Sequence, residues 1–480
     1  MRLLLSLFVL VVLIHCKSKD EWKSRSVYQL LTDRFATSQG RSTSCNLGNY
    51  CGGDYQGMIQ QLDYIQNLGF DAIWITPVID NYDGGYHGYW ARNMYDVNHN
   101  FGSADDLKAL VNACHARDIW VMVDVVANHM GNTNTVYNQN NPFNQSSHYH
   151  DWCDITDNDF NSHNLYNIER CRLAGLADLN QDNQFVTEQL LQWIKWLVQE
   201  FKFDGLRIDT LMMVKTDFWY KFSNAAGVYT VGEVFDGDMN FLKQFVGPVD
   251  ALLNYPLFYT ARDVFLHWRD MNTFENYYNS LMNSWGKQNI QYAGNFNDNH
   301  DNARFLNDQI QGYIPDEVFL SDKPHLTFSA LKKLQFKAIT AFCLTSIGIP
   351  MIYYGSEQLY AGGNDPQNRE VLWGNLDQQS EMYKYIQAIN NARKATNAGN
   401  QEQIQRYSDS EIYAFTRGTL FAAFSSKYDR QTIKTITYHP YAEGTTLCNI
   451  FYPTTDCIKV TNGKFTLYLN YGEVKIFIPK

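Results

Sequence analysis

Gly57-Met58-Ile59-Gln60-Gln61-Leu62-Asp63-Tyr64-Ile65-Gln66-Asn67-Leu68-Gly69-Phe70-Asp71-Ala72-Ile73-Trp74-Ile75-Thr76-Pro77 holds two periodicities in one short run. Met58, Ile59, Leu62, Ile65 and Leu68 follow helical spacing and Gly69 supplies a stop, while Asp71 to Thr76 is β-rich and ends at Pro77. The alternation returns twice. Ser103 can cap a helix with Leu107, Leu110, Val111 and Cys114 on one face, ahead of a strand from Ile119 to Val126 that is apolar except for Asp124. Val186, Leu190, Ile194, Leu197 and Val198 then precede Gly205-Leu206-Arg207-Ile208. Helix followed by buried strand is the βαβ pattern. Ser26 to Leu31, Val228 to Gly232, Ala251 to Leu253, Tyr292 to Phe296 and Met351 to Tyr354 bring the strands to the number that closes a barrel. The fold class expected is therefore α/β, a (β/α)8 TIM barrel.

Two stretches break the rhythm. About 60 residues rich in Asn, His, Asp and Ser separate the third strand from the helix near Phe185, and excursions of that length at βα loops are usually functional. Beyond about Asn397 the helical pattern stops and alternating segments such as Val474-Lys475-Ile476-Phe477-Ile478 take over. The expected division is a barrel over 17–128 and 181–390, an inserted small domain over 129–180 after strand 3, and a C-terminal antiparallel β domain over 391–480.

A chain of 480 residues with 45% hydrophobic and 19% charged side chains can bury a core and falls outside disordered or collagen-like composition. Its 50 acidic against 39 basic residues leave a net charge of -11. That charge repels phosphate backbones and anionic bilayers, so neither nucleic acid nor membrane is an expected partner. Arg2 precedes an apolar run from Leu3 to Ile14, too short to span a bilayer, and polarity returns at Lys17. Residues 1–16 read as a secretory signal, which implies a secreted, extracellular protein in an oxidising setting. Cys45 with Cys51, Cys153 with Cys171, and Cys448 with Cys457 are near neighbours in turn-rich sequence and could close disulfides, whereas Cys114 and Cys343 sit in helical patterns as free buried thiols.

In such a barrel, reactive groups stand at the C-terminal ends of strands. Those places carry His87, Asp124, Asn128, His129, Arg207, Asp209, Glu233, Asn299, His300 and Asp301. Three carboxylates at three strand ends suit glycoside hydrolysis, where one acid directs attack at the anomeric carbon and another protonates the departing oxygen. The sequence has no Gly-x-Ser-x-Gly elbow, His-Glu-x-x-His pair, phosphate loop or dinucleotide fingerprint.

Asp124-Val125-Val126-Ala127-Asn128-His129, Gly205-Leu206-Arg207-Ile208-Asp209, Gly232-Glu233-Val234 and Asn299-His300-Asp301 resemble, in order, the four signature regions of the α-amylases. The likeness is to secreted fungal-type members, a retaining α-glucan hydrolase family. It extends through Gly85-Tyr86-His87-Gly88-Tyr89-Trp90 and Gly362 to Glu370. The resemblance implies Asp209 as nucleophile, Glu233 as general acid and base, and Asp301 as the third carboxylate holding sugar hydroxyls. Arg207 would keep Asp209 ionised, and the negative field of Asp209 and Asp301 would raise Glu233. It further implies sugar contacts by Tyr89, Trp90, His87, His129 and His300, and contacts to the next glucose on the non-reducing side by Asp365 and Arg369.

The resemblance also implies a structural Ca²⁺ between barrel and insert, held by Asn128, Asp178, the Met213 carbonyl and, through its backbone oxygen, Glu169. The implied activity is endo-hydrolysis of internal α-1,4 bonds in starch or glycogen, an α-glucan polysaccharide partner, by a monomer. An α-glucosidase or glucanotransferase of shorter α-glucosides and a non-catalytic glucan-binding protein are the alternatives. Met212-Met213 stands where the fungal group usually has Lys-His, which puts product length in question. The stretch from Val78 to Gly85 is shorter than the fungal pattern, and Asn144-Gln145-Ser146 is a glycosylation tripeptide.

Overall fold

The computed structural model describes residues 17–266, 269–308 and 328–480, so the expectation for residues 1–16 lies outside the described residues. Eight parallel strands form one sheet: β1 Val27–Gln29, β2 Ala72–Ile75, β3 Trp120–Val125, β4 Gly205–Ile208, β5 Tyr229–Gly232, β6 Ala251–Leu252, β7 Gly294–Asn295 and β8 Ile349–Tyr353. Their order is 6-5-4-3-2-1-8-7. A parallel bridge between Leu253 and Gly294, with Asn254 N donating to Gly294 O at 2.8 Å, joins the two ends into a TIM barrel.

Each strand is buried on both faces, and alternation divides its side chains between two cores. Ile73, Ile75, Val121, Val123, Leu206 and Ile208 face the helices. Val27, Trp74, Met122, Val231, Leu253 and Met351 fill the interior. Two residues on from each interior position is the interior again. That period places Gln29, Asp124 and Glu233 on the inner face at the strands' C-terminal ends, with Arg207 opposite Asp124 in the β3–β4 register.

The expected strands differ in their limits. β8 begins at Ile349, because Pro350 pairs with Asn295 within the strand although it brings no N–H. The helix expected over Gly57 to Leu68 is two, Tyr55–Gln60 and Leu62–Asn67, broken at Gln61, whose φ of -110 and ψ of 10 leave helical geometry. Ser103 caps Ala104–His115 as the spacing predicts, accepting from Asp106 N. The helix Glu381–Ala395 runs past residue 390, and the first C-terminal strand begins at Gln403.

After β2 an antiparallel pair, Ile79–Asn81 with Ala91–Val97, lifts Tyr89 and Trp90 above the barrel. The chain beyond β3 enters the insert on Gly131, where an added Cβ would lie 2.3 Å from the Trp90 backbone. His129–Met130 pairs with Ala177–Asp178, so the start and end of the insert are held together at the barrel rim. Cys153 and Cys171 close a disulfide inside it, Cys45–Cys51 and Cys448–Cys457 form two more, and Cys114 and Cys343 are free and buried.

The C-terminal residues build a six-stranded antiparallel sheet, with Gln431–Ile436 and Phe465–Asn470 as a separate pair. Ile412, Ala414, Phe421 and Ala423 join Leu467 and Leu469 in one core, while Tyr413, Phe415 and Phe424 turn to the barrel and meet Phe342. Arg417 and Arg393 add polar anchors. Arg417 donates to Ser346 O at 2.6 Å and Arg393 to Leu344 O at 2.8 Å, placing two buried cations at the C-terminus of the helix Phe328–Thr345, where the free carbonyls carry partial negative charge.

Candidate active site

Asp209, Glu233 and Asp301 all line one cavity of about 510 Å³ at the strand ends, together with Tyr89, His129, Met212 and Met213. Asp209 follows β4 directly, its N–H donating to Val125 O of β3 at 3.0 Å, and Glu233 follows β5, donating to Ile208 O at 2.9 Å. Asp301 stands in the loop after β7, fixed by Asn299, whose Oδ1 accepts from Asp301 N at 3.1 Å and Asn302 N at 3.0 Å.

A ring of contacts runs around the cavity floor. His300 Nε2 lies 3.3 Å from Asp301 Oδ2 and 2.7 Å from the Tyr89 hydroxyl. Tyr89 donates to Asp124 Oδ2 at 2.9 Å, and Arg207 Nη1 reaches Asp124 Oδ1 at 2.9 Å. Arg207 Nη2 pairs with Glu233 Oε1 at 2.7 Å, Tyr255 donates to the same oxygen at 3.2 Å, and Asn299 Nδ2 donates to the Tyr255 hydroxyl at 3.1 Å. Asn299 then leads back to Asp301. Glu233 and Asp301 are each thereby held by at least two neighbours, as a preorganised site requires, while the Asp209 side chain is met by Arg207.

The expected electrostatics need correction at Asp209. Arg207 does pair with it, Nη1 to Oδ1 at 2.8 Å, but the same nitrogen serves Asp124 and the other terminal nitrogen serves Glu233. One cation is divided among three buried acids. Burial, with Glu233, Asp124 and Asp301 adding to it, pushes Asp209 well above the usual carboxylate range against the pull of Arg207. Burial also raises Asp124 to about 6. Ionising Asp209 is thus harder than pairing with Arg207 alone would make it.

The histidines go the other way. Burial lowers His87 to about 3 and His129 to about 4, and takes His300 well below the ordinary imidazole value. Gln29 Nε2 donates to His300 Nδ1 at 2.8 Å, which leaves the proton on Nε2, facing Tyr89 and Asp301. The ring carbon shifts of His87 and His129 measured by NMR should hold their neutral-form values from pH 8 down to pH 5, protonation entering only near the values above.

His87 stacks on Tyr89 with centroids 5.5 Å apart, and Trp90 meets His87 edge-on at 4.8 Å. His129 Nε2 lies 3.2 Å from Tyr89 O. Asp365 and Arg369 pair at 3.0 Å beside the site, and Arg369 Nε donates to His300 O at 3.0 Å while Nη2 lies 3.6 Å from Asp301. Arg369 therefore braces the loop carrying Asp301. Sequence reading missed Tyr255 and Trp74, which donate to Glu233 and, at 3.1 Å, to Asp124. Both look like core aromatics. Gln29 did offer a signal, an amide in an otherwise apolar strand.

The residues expected around calcium converge in part. The Asn128 side-chain oxygen faces the oxygens of Asp178 and Met213. Turned about, its nitrogen would donate to Asp178 Oδ1 at 3.2 Å and Met213 O at 3.0 Å. Glu169 ends the helix Leu165–Ile168, which packs against the turn Leu211–Met213. Among the described residues no three His, Cys, Asp or Glu side chains form a metal cage. The oxygen donors that do meet, one amide, one carboxylate and one carbonyl, are those a hard cation takes.

A closed parallel barrel with three acids around one cavity at its strand ends defines a barrel glycoside hydrolase. Residues 29–435 match the alpha amylase catalytic domain. The alpha-amylase of Saccharomycopsis fibuligera is 34% identical over 484 residues, covering 96% of this chain and 92% of that protein. The beta/alpha-amylase of Paenibacillus polymyxa is 37% identical over 478 residues, 95% of this chain, which spans only 38% of that longer protein. The solved alpha-amylase of Malbranchea cinnamomea superimposes with a TM-score of 0.86 at 33% identity, covering 96% of this chain and 97% of that one. The chain belongs to the alpha-amylase family.

Proposed function

We propose that the protein is a secreted, monomeric endo-α-amylase that cuts internal α-1,4-glucosidic bonds of starch or glycogen with retention, through a covalent glycosyl-enzyme. What carries the reading is the convergence of Asp209, Glu233 and Asp301 on one cavity. In the first step Asp209 attacks the anomeric carbon as a carboxylate. Glu233 gives its proton to the glycosidic oxygen, and the chain beyond the bond departs as an alcohol. In the second, Glu233 takes a proton from water, whose oxygen displaces Asp209 and restores both acids.

Arg207 offsets the negative charge Asp209 carries as a carboxylate, and Asp301 with neutral His300 holds hydroxyls of the distorted sugar. Tyr89 gives that sugar a stacking face, flanked by His87, Trp90 and His129, and Asp365 with Arg369 holds the next glucose on the non-reducing side. Incubation with soluble starch tests the whole reading. Iodine staining should fall far faster than free glucose appears, with the newly formed ends in the α configuration by NMR. Glucose as the main early product, or β ends, would reject it. Transfer products without net new reducing ends would favour a glucanotransferase.

The barrel and the insert, residues 129–180, are in this reading joined by Ca²⁺ on Asn128, Asp178 and the carbonyls of Met213 and Glu169, a structural ion that shapes the cleft. Free Ca²⁺ at about 100 times Kd would add about 2.7 kcal/mol, or roughly 3 °C in melting temperature for a chain of this size. Chelation should remove that increment and lower activity, and Asn128→Ala should lack it. Secretion is supported by the three disulfides. No helix among the described residues is long and apolar enough to cross a membrane.

A further inference from the structure

Beyond Glu233 the cavity is walled mainly by apolar side chains, Phe160, Ile168, Leu173 and Leu176 from the insert and Met212 with Phe235 from the barrel loops. A glucose unit entering there brings hydroxyls that lose free energy unless they find partners. Two polar side chains in this part of the wall answer that need, His163 and Asp236. They come from different segments of the chain. His163 stands between the insert helices Asp157–Asn161 and Leu165–Ile168 at a φ of 52, and Asp236 is three residues past Glu233.

His163 Nε2 lies 2.8 Å from Asp236 Oδ2, and Asp236 Oδ1 accepts from Asp238 N at 2.6 Å. The imidazole lies flat on Phe241, centroids 3.8 Å apart and planes within 5°. Asp236 and Phe241 therefore fix the ring, yet the side chain keeps 32% of its surface open. Because Asp236 takes the Nε2 edge, the Nδ1 edge is left for a hydroxyl of the sugar. The acid that would protonate the departing oxygen stands on this side of the site, whereas Asp365 and Arg369 stand by Asp301.

We propose that His163, positioned by Asp236 and Phe241, binds the second glucose on the leaving-group side of the cleaved bond and so sets how many sugars depart. This deepens the function proposed above and rests on it. The test is the cutting pattern on maltoheptaose labelled at its reducing end. His163→Ala should shift cleavage toward the labelled end, raising the ratio of labelled glucose to longer labelled fragments about fivefold, as loss of one hydrogen bond allows. His163→Gln, which keeps a side-chain acceptor, should recover part of the wild-type pattern, and Asp236→Asn should fall between. Slower cutting at every bond with an unchanged pattern in all three variants would overturn the proposal, since that is what a merely structural role gives. Maltoheptaose left uncut by the wild type would instead reject the underlying function.

Discussion

Glu233→Gln is expected to lower kcat on soluble starch about 10⁴-fold, the upper range for removing a general acid and base, while KM changes little. The amide matches the carboxyl in shape but cannot release a proton to the glycosidic oxygen. It also meets three donors, since Arg207 Nη2, the Tyr255 hydroxyl and Thr210 N all point at the Glu233 oxygens. One of them must face an NH2 group, which costs about 1–3 kcal/mol, so a modest fall in melting temperature should accompany the kinetic loss. The two roles proposed for the acids separate on a substrate whose leaving group needs no proton. With α-maltosyl fluoride, Glu233→Gln should form the glycosyl-enzyme at a rate far closer to wild type than on starch. Asp209→Asn should fail on both. Equal losses for the two variants on the fluoride would exchange or dissolve the assignment, whichever way the starch data fall.

How much of this was legible follows from where each signal resides. The barrel is written as two short periodicities, and the strand ends are places where a polar residue interrupts an apolar run, as Asp124 and Arg207 do. The acids could therefore be found along the chain without knowing what they touch. Their partners could not. That Arg207 lies opposite Asp124 depends on the register of β3 against β4, and that it also meets Glu233 depends on β5 beside them. Reading Arg207 with Asp209 alone gives one cation per carboxylate and the wrong direction for Asp209. Tyr255 opens a helix and packs on Phe296, so its hydroxyl contact is invisible in an aromatic pattern. His163 and Asp236 are 73 residues apart, and nothing local marks them as a pair. Periodicity reports burial, and burial is shared by core and site alike.

Replacing Arg207 by Met should be the most damaging single change to stability in the site. Met roughly keeps the volume and removes the cation from among Asp124, Asp209 and Glu233. Breaking a buried ionic group by deleting one partner costs about 3–5 kcal/mol, and here the orphaned partners repel one another as well. The pH dependence fixes the cause. Asp124 and Asp209 already titrate above their unfolded values, Asp124 at about 6. The native state therefore binds more protons than the unfolded chain between roughly pH 4 and those raised values, and stability falls as pH rises through that window. Without Arg207 both groups move higher, the window widens, and the deficit against wild type is largest at pH 7 to 8. Toward pH 5 the acids take up protons, the repulsion fades, and the deficit shrinks. Urea unfolding of both proteins from pH 5 to 8 measures this directly. A deficit independent of pH would mean that Arg207 supports the barrel through packing alone, and the shared-charge account of the site would be lost with it.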